Sequence, residues 1–261
     1  MARAFLAEWL PLRRRRFVVG TFSATAAVAA LGAVLTFMAT GGREFYGDYL
    51  HTTALSRPSG MVEGLNTISI LLGVVGLCVV AAALGGDYSR GTLRNQLMAQ
   101  PHRLQLFAGK CLALASFVTL VVLAAAAVSV ALSFAFAPIK GVSTAAWLSA
   151  AGMRELGKGI LNNLLNAWGY AVLGAFVAIV FRSPAAAISV GLAYVLPVEI
   201  IVTGIWGAAG HWLPGQLLQD IANGGHGYTT AYADATLRVL LYGLVAALVT
   251  ALLVRYRDMT S

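Results

Sequence analysis

The sequence predicts an all-α, polytopic membrane protein with six transmembrane helices and both termini on the cytoplasmic side. Hydrophobic residues make up 59% of the 261 positions and charged residues only 11%, whereas about 25% of an average soluble domain is charged. The apolar residues lie in unbroken runs, which indicates spanning helices, because the strands of a membrane β-barrel would show alternation. The distribution of lysine and arginine along the chain then sets the orientation.

Six runs with few or no charges are long enough to cross a membrane. A hydrocarbon core about 30 Å thick needs about 20 helical residues. The runs cover residues 17–42, 64–86, 111–139, 159–181, 183–210 and 239–254. Glu199 interrupts the fifth run. The sixth run is short, so we expect its helix to begin near Ala235, with the Arg238 side chain reaching outward to the interface.

The first run follows four consecutive arginines, Arg13 to Arg16, which is also the order of a secretory signal peptide. Its 26 uncharged residues exceed the apolar region of a cleavable signal, which is about 7–15 residues long. We therefore expect this run to be retained as the first span.

Basic residues decide the orientation, because lysine and arginine concentrate in cytoplasmic loops. Twelve of the 18 fall on the side of the N-terminus: Arg3, Arg13, Arg14, Arg15, Arg16, Arg90, Arg94, Arg103, Lys110, Arg182, Arg255 and Arg257. The six on the other side are Arg43, Arg57, Lys140, Arg154, Lys158 and Arg238. Both termini are therefore predicted to be cytoplasmic, and the net charge of +8 is explained without nucleic acid.

The sequence carries no motif for catalysis, metal binding or nucleotide binding. Cys78 and Cys111 are too few for a disulfide scaffold or a metal site, and the four histidines are scattered. A phosphate-binding loop of the form G-x-x-x-x-G-K-[ST] is absent. We therefore expect one transmembrane domain over residues 1–261 that is not an enzyme and binds no metal or cofactor. Its energy would come from a partner or an ion gradient.

The segment 87–110 between the second and third runs is the richest predicted cytoplasmic loop. Thr92 can cap a helix, Leu93 and Leu97 fall on one face four residues apart, and Pro101 ends the helix. This pattern predicts a short helix set crosswise below the membrane. The chain offers no other large cytoplasmic element to cover its apolar stripe, so the stripe either packs on a partner protein or rests on the bilayer.

The same segment resembles the signature of ABC exporter permeases of the second type. Residues 87–94 supply an acidic-aromatic pair, Gly-Thr and a basic residue after the second span, and Pro101, Arg103 and Lys110 lead into the third. The resemblance implies a coupling helix that contacts a separate ATPase. The residues implied in this contact are Arg90, Gly91, Thr92, Leu93, Arg94, Leu97, Pro101 and Arg103.

Residues 1–16 are similar to the elbow helix of that family. Phe5 and Trp9 are four residues apart, as on one face of an interfacial helix, and the arginine run would hold the segment to anionic lipid. Pro11 departs from the pattern, because related elbows usually carry a lysine there. The short turn 182–185 between the fourth and fifth runs also fits the family.

The resemblance implies a function as well. It indicates the permease subunit of an ATP-driven exporter in the cytoplasmic membrane, paired with a second copy or a sibling permease. Two copies of a cytosolic ATPase would bind ATP and Mg²⁺. Apolar spans suit a hydrophobic or amphipathic substrate such as a drug, an antibiotic or a lipid-like molecule. Membrane lipid is the remaining expected partner, and nucleic acid is not one.

Two other functions remain open at this point. An ion-coupled secondary transporter could use Glu199, although such transporters usually show internal repeats with broken helices at matching positions, and no such pairing is visible. A membrane scaffold without transport would need no aqueous cavity and would not respond to a nucleotide.

Glu199 is the one acid inside a predicted span. It lies 16 residues beyond Ser183, which is about 24 Å into a core about 30 Å thick. It is either a proton, cation or basic-substrate site or a structural carboxylate bonded to a neighbour. We favour the second interpretation, because no second buried charge forms a relay. Asn162, Asn163 and Asn166 could pair with it or hold helices together.

A further short helix is predicted between the fifth and sixth runs. Leu217, Leu218 and Ile221 alternate with Gln216 and Asp220 at a spacing that suits a helix lying at the membrane interface.

Overall fold

The computed structural model describes residues 5, 9, 12, 14–40, 52–91, 103–225 and 230–256. Within these residues the regular structure is helical, without strands, and six helices are long and apolar enough to cross a membrane. The all-α, six-span prediction is confirmed. The spans in chain order are Arg15–Met38, Ser69–Ser89, Arg103–Phe136, Ala150–Phe181, Pro184–Ile205 and Tyr232–Tyr256.

Shorter helices connect the spans in the described part of the chain. Three are α-helical: Thr52–Leu55, Glu63–Thr67 and Pro214–Ala222. Three are 3-10 turns: Gly60–Val62, Pro138–Lys140 and Gly207–His211.

Contacts between span ends define two ends of the bundle. At one end the Lys110 ammonium binds the Asp87 carboxylate, which joins the third span to the second. At the other end Lys140 Nζ donates to the Thr40 carbonyl at 3.4 Å, which joins the segments that follow the first and third spans. We call these the N-terminal end and the opposite end of the bundle.

Helical structure extends beyond the uncharged runs. The second span continues through Asp87 to Ser89, and the third begins at Arg103 instead of residue 111. The predicted loop 87–110 is therefore helical at both of its ends. The fourth span likewise begins at Ala150, nine residues before its uncharged run. Charged turns can be helical here because their charges pair within the protein or reach solvent.

The second and fourth spans pack closely, and small residues make this approach possible. A Cβ added at Gly73 would clash with the Tyr170 ring, and one added at Gly174 would clash with the Leu77 carbonyl. Gly76 lies against the backbone of Ala167 in the same interface. Small residues allow helix backbones in membranes to approach and gain van der Waals contact. This pair forms the centre of the bundle.

The fifth span is interrupted in its middle. Tyr194–Val198 forms a π turn that contains Pro197, which has no N–H and would clash with a carbonyl four residues earlier in a regular α-helix. The α-helix resumes at Glu199 and ends at Ile205. The π turn therefore sets the direction in which the Glu199 side chain leaves the span.

The helix Pro214–Ala222 lies inside the bundle at its opposite end, and we call it the inserted helix. Its residues Leu217, Leu218, Asp220 and Ile221 are buried, and it packs between the fourth and sixth spans and against the second. The prediction of a helix here is confirmed, and its expected position at the membrane interface stays a prediction. The helix lies in the bundle because both of its faces find protein to cover them.

Candidate functional site

The N-terminal end of the bundle carries the first group of predicted site residues. Arg90 and Gly91 follow the second span, and Arg103 is the first residue of the third. The other predicted contact residues lie outside the described residues: Thr92, Leu93, Arg94, Leu97 and Pro101.

A buried ion pair joins the two helices that flank this segment. Lys110 is 2% exposed, and its ammonium binds the Asp87 carboxylate. Arg90 Nη2 lies 3.5 Å from Oδ1 of the same Asp87. Removing one partner of a buried pair leaves an uncompensated charge, so this contact fixes the end of the second span to the first turns of the third.

Gly91 turns the chain out of the second span. Its φ of 64° is left-handed, a conformation that glycine adopts without strain and that commonly ends helices.

The short turn between the fourth and fifth spans packs beside this end. Ser183 caps the fifth span, with its Oγ accepting from the Ala186 N–H, and Pro184 is the first helical residue. A Cβ added at Gly85 of the second span would lie 2.7 Å from the Pro184 nitrogen. The second, third and fifth spans therefore meet at the base of the predicted coupling segment.

The predicted elbow is described at three positions. Phe5 and Trp9 have helical conformation, and their rings stack with centroids 5.6 Å apart. Leu12 is also helical and is buried in the main apolar core. The rest of the segment before Arg14 lies outside the described residues.

Glu199 is buried at the opposite end of the bundle, with a relative exposure of 1%. Its Oε1 accepts from the Gly215 N–H at 2.9 Å, and its Oε2 accepts from the Gln216 N–H at 3.0 Å. The Tyr194 hydroxyl is a third partner. The carboxylate thus occupies the first turn of the inserted helix, where unpaired N–H groups and the helix dipole favour negative charge.

Asn163 and Asn166 connect the fourth span to the chain around the second. Asn163 Nδ2 donates to Asn66 Oδ1 at 3.1 Å, and Asn166 Nδ2 donates to the Ser69 carbonyl at 2.7 Å. Both asparagines are fully buried. Side-chain amides that bond across helices stabilise helix pairs inside membranes.

Asn162 connects the fourth span to the sixth instead. The Tyr232 hydroxyl donates to Asn162 Oδ1 at 2.9 Å, at the start of the sixth span. The amide contacts of Asn162, Asn163 and Asn166 thus join helices, and the Glu199 carboxylate is held by the inserted helix. Of the two alternatives that the sequence left open for these amides, the hydrogen bonds correspond to helix–helix contact.

Sequence reasoning missed two polar residues of this region. Ser69 Oγ donates to Gln219 Oε1 at 2.7 Å, which joins the second span to the inserted helix. A serine and a glutamine 150 residues apart give no joint signal in a single sequence. Gln219 and Asp220 nevertheless lie between Leu218 and Ile221, and a helix buried on that face would need polar partners for them.

A cluster around Trp212 closes the opposite end of the bundle. The Arg238 guanidinium carbon lies 4.4 Å from the centroid of the Trp212 ring, and Nη1 of Arg238 donates to the His211 carbonyl. The Tyr242 hydroxyl donates to the Trp212 carbonyl at 3.0 Å. Arg238 is partly exposed, so it holds this loop to the sixth span while reaching the rim of the bundle.

The described residues contain no group of three or more His, Cys, Asp or Glu side chains that could hold a metal ion. Cys78 and Cys111 are free thiols, and both are half-buried.

Comparison with known proteins identifies the family. The chain matches the family model described as ABC-2 family transporter protein over residues 4–198, about three quarters of its length. This range includes the first four spans, the segment between Asp87 and Lys110, and the fifth span up to the residue before Glu199. No curated protein matches the chain. The chain therefore belongs to the ABC-2 family of transporter proteins and is a multi-pass membrane permease component.

Proposed function

We propose that this permease is driven by a separate cytosolic ATPase, bound in two copies, and exports a hydrophobic or amphipathic substrate. It would lie in the cytoplasmic membrane with both termini inside, beside a second copy or a sibling permease. ATP and Mg²⁺ would bind to the ATPase and not to this chain. Family membership supports the ATPase partner, and the basic residues around the N-terminal end of the bundle support the orientation.

The observation that carries the proposal is the buried contact between Asp87 and Lys110. These residues stand on either side of the predicted coupling segment and join the helices that enter and leave it. A force applied to the segment would therefore move both helices together. A flexible connection would instead absorb the motion.

A path from this end of the bundle to the other runs through the second span. The second span is packed along the fourth through glycine contacts at Gly73 and Gly174. At its far end Ser69 is bonded to Gln219 of the inserted helix. Movement of the second span would thus reach the fourth span and the inserted helix, about 30 Å from the ATPase side for a helix of about 20 residues.

The turn Arg182–Ser183 between the fourth and fifth spans is too short to contact a cytosolic motor. Two residues separate the ends of those spans, and Pro184 packs against Gly85. The coupling function therefore falls to the segment that contains Leu93 and Leu97.

The test replaces both leucines with aspartate. Burying a leucine side chain contributes about 1.5–3 kcal/mol, so Leu93→Asp with Leu97→Asp should weaken ATPase docking by several kcal/mol. The measurements are co-purification of the ATPase and stimulation of its ATP hydrolysis by the permease. Both should fall strongly, while the six-span fold, checked by thermal unfolding in detergent, is retained.

A matched control is available at the opposite end of the bundle. Ile139 and Leu148 are 73% and 66% exposed there, and changing both to aspartate should leave ATPase binding unchanged. Unchanged binding and stimulation in the Leu93→Asp/Leu97→Asp protein would remove this segment from the coupling function.

A further inference from the structure

An apolar groove runs along the bundle between the fourth span, the inserted helix and the sixth span. Its volume is about 420 Å³. The residues that matter here are Leu165 and Trp168 of the fourth span, Leu218 of the inserted helix, and Tyr242, Gly243 and Leu244 of the sixth span. The walls are almost entirely hydrocarbon, so the groove suits an apolar occupant.

The groove lies at membrane depth. On the fourth span it extends from Leu165 to Leu173, which are 16 and 8 residues before the end of the helix at Phe181. At 1.5 Å per residue these positions are about 24 and 12 Å from that end, inside a hydrocarbon core about 30 Å thick. An apolar cavity at this depth does not hold water.

The groove is open on its lateral side. Leu240 and Leu244, which border it on the sixth span, are 62% and 57% exposed. Trp168 on the facing wall is also exposed. A molecule in the surrounding bilayer can therefore enter sideways, without crossing the polar end of the bundle.

A positive charge lies beside the groove, next to its lining residue Tyr242 but outside the lining itself. Tyr242 lines the groove and donates to the Trp212 carbonyl, and the Arg238 guanidinium lies over the Trp212 ring. Guanidinium has five N–H donors in a planar fork that matches phosphate oxygens. The bond to the His211 carbonyl takes one of its nitrogens. A cation beside an apolar groove is complementary to a phospholipid, whose acyl chain can lie in the groove while its phosphate reaches the cation.

We propose that this groove is a binding site for one phospholipid molecule, with an acyl chain along Trp168, Leu218 and Gly243 and the phosphate at Arg238. A second copy of the chain would bring a protein side chain, not a phosphate, to the guanidinium. The site needs neither an ATPase nor transport, so it stands apart from the proposed function.

Gly243 provides a direct test of occupancy. A Cβ added at Gly243 meets no atom within 4 Å, so Gly243→Leu should fill the groove without disturbing the helix. Gly204 of the fifth span is equally unobstructed and lies outside the groove, which makes Gly204→Leu the matched control. Each variant is purified in detergent and titrated with palmitoyl-oleoyl phosphatidylglycerol, and native mass spectrometry measures the lipid that each chain retains.

The parent protein and Gly204→Leu should retain one phospholipid per chain. Gly243→Leu should weaken binding about tenfold or more, because displacing a few methylenes at about 0.8 kcal/mol each is sufficient for that change. Arg238→Gln should weaken phosphatidylglycerol by a similar factor and leave diacylglycerol, which has no phosphate, unaffected. Arg238→Lys should retain the preference for the phospholipid.

A fluorescence measurement checks the position of the bound chain. Phosphatidylglycerol with brominated acyl chains should quench Trp168, and this part of the quenching should disappear in Trp168→Phe and in Gly243→Leu. Equal lipid retention in the parent and in Gly243→Leu would overturn the proposal. Loss of self-association in Gly243→Leu with unchanged lipid retention would also overturn it, and would assign the groove to a second copy.

Discussion

The carboxylate of Glu199 accepts a hydrogen bond from the backbone N–H of Gly215 across the break between the fifth span and the inserted helix, at 2.9 Å. Its other oxygen accepts from the N–H of the next residue. The first turn of a helix has N–H groups without intrahelical partners, and this acid satisfies two of them. The one acid within the fifth span therefore holds the inserted helix in place.

Replacing Glu199 with glutamine should reduce stability more than transport. Glutamine has one acceptor oxygen, so one of the two N–H groups of the inserted helix loses its partner, at a cost of about 1.5–3 kcal/mol for a bond to a charged group. Thermal unfolding in detergent should show this loss, and transport in proteoliposomes at a permissive temperature should stay within a few-fold of the parent. Abolished transport with unchanged thermal stability would favour an ion-coupled function for Glu199.

Changing Gly215 to alanine should disturb the same contact from its other side. A Cβ at this position would clash with the Glu199 carboxylate, and overpacking of this kind costs about 1–3 kcal/mol. Gly207→Ala is the matched control, because a Cβ there meets no atom within 4 Å. We expect a lower thermal unfolding midpoint for Gly215→Ala alone. Equal midpoints for the two variants would show that the inserted helix can shift to accept the methyl group.

Removing the charge of Lys110 should be strongly destabilising. Breaking a buried ion pair by removing one partner costs about 3–5 kcal/mol, so Lys110→Met should lower the unfolding midpoint markedly. The exposed pair of Lys158 with Glu155 has similar chemistry and is worth about 0–1 kcal/mol, so Lys158→Met is the control. Adding Asp87→Asn to Lys110→Met should recover part of the loss, and no recovery would contradict a pairwise contact.

The predicted orientation can be tested with introduced cysteines. In a background where Cys78 and Cys111 are replaced by alanine, cysteines at Gln100 and Ser261 should be shielded from an impermeant thiol reagent in intact cells. A cysteine at Ser143, which is exposed at the opposite end of the bundle, should be labelled. Labelling of the first two positions from outside would reverse the assignment of both termini.

The existence of the spans could be predicted from the sequence, but their ends could not. The thickness of the hydrocarbon core and the apolar composition of the runs are enough to predict six spanning helices. They do not predict the helix ends, because the third span begins at Arg103, eight residues before its uncharged run. Lys110 is helical and buried because Asp87 lies beside it in space. A contact between residues 23 positions apart is invisible to any reading of local hydropathy.

The burial of the inserted helix could not be predicted from the sequence either. Its spacing of leucine and isoleucine predicts a helix, yet the same spacing suits a helix that lies on the membrane and one that packs in a bundle. Asp220 is 2% exposed, which the sequence gives no reason to expect. The hydrogen-bond partners of Glu199 could not be predicted either, because a backbone N–H at the start of a helix leaves no mark in the choice of side chain.

The glycine contacts of the second and fourth spans have a mechanical consequence. With no room for a methyl group at Gly73, which faces the Tyr170 ring, or at Gly174, which faces the Leu77 backbone, the two helices interlock at both places and resist sliding past each other. We therefore expect the second and fourth spans to tilt together as one rigid pair. Only 11% of the most apolar stretch of the sixth span is buried inside the protein, against 61% of that of the second span. Motion that begins at the second and fourth spans should therefore meet its least resistance at the sixth span, so that helix should be the first to shift.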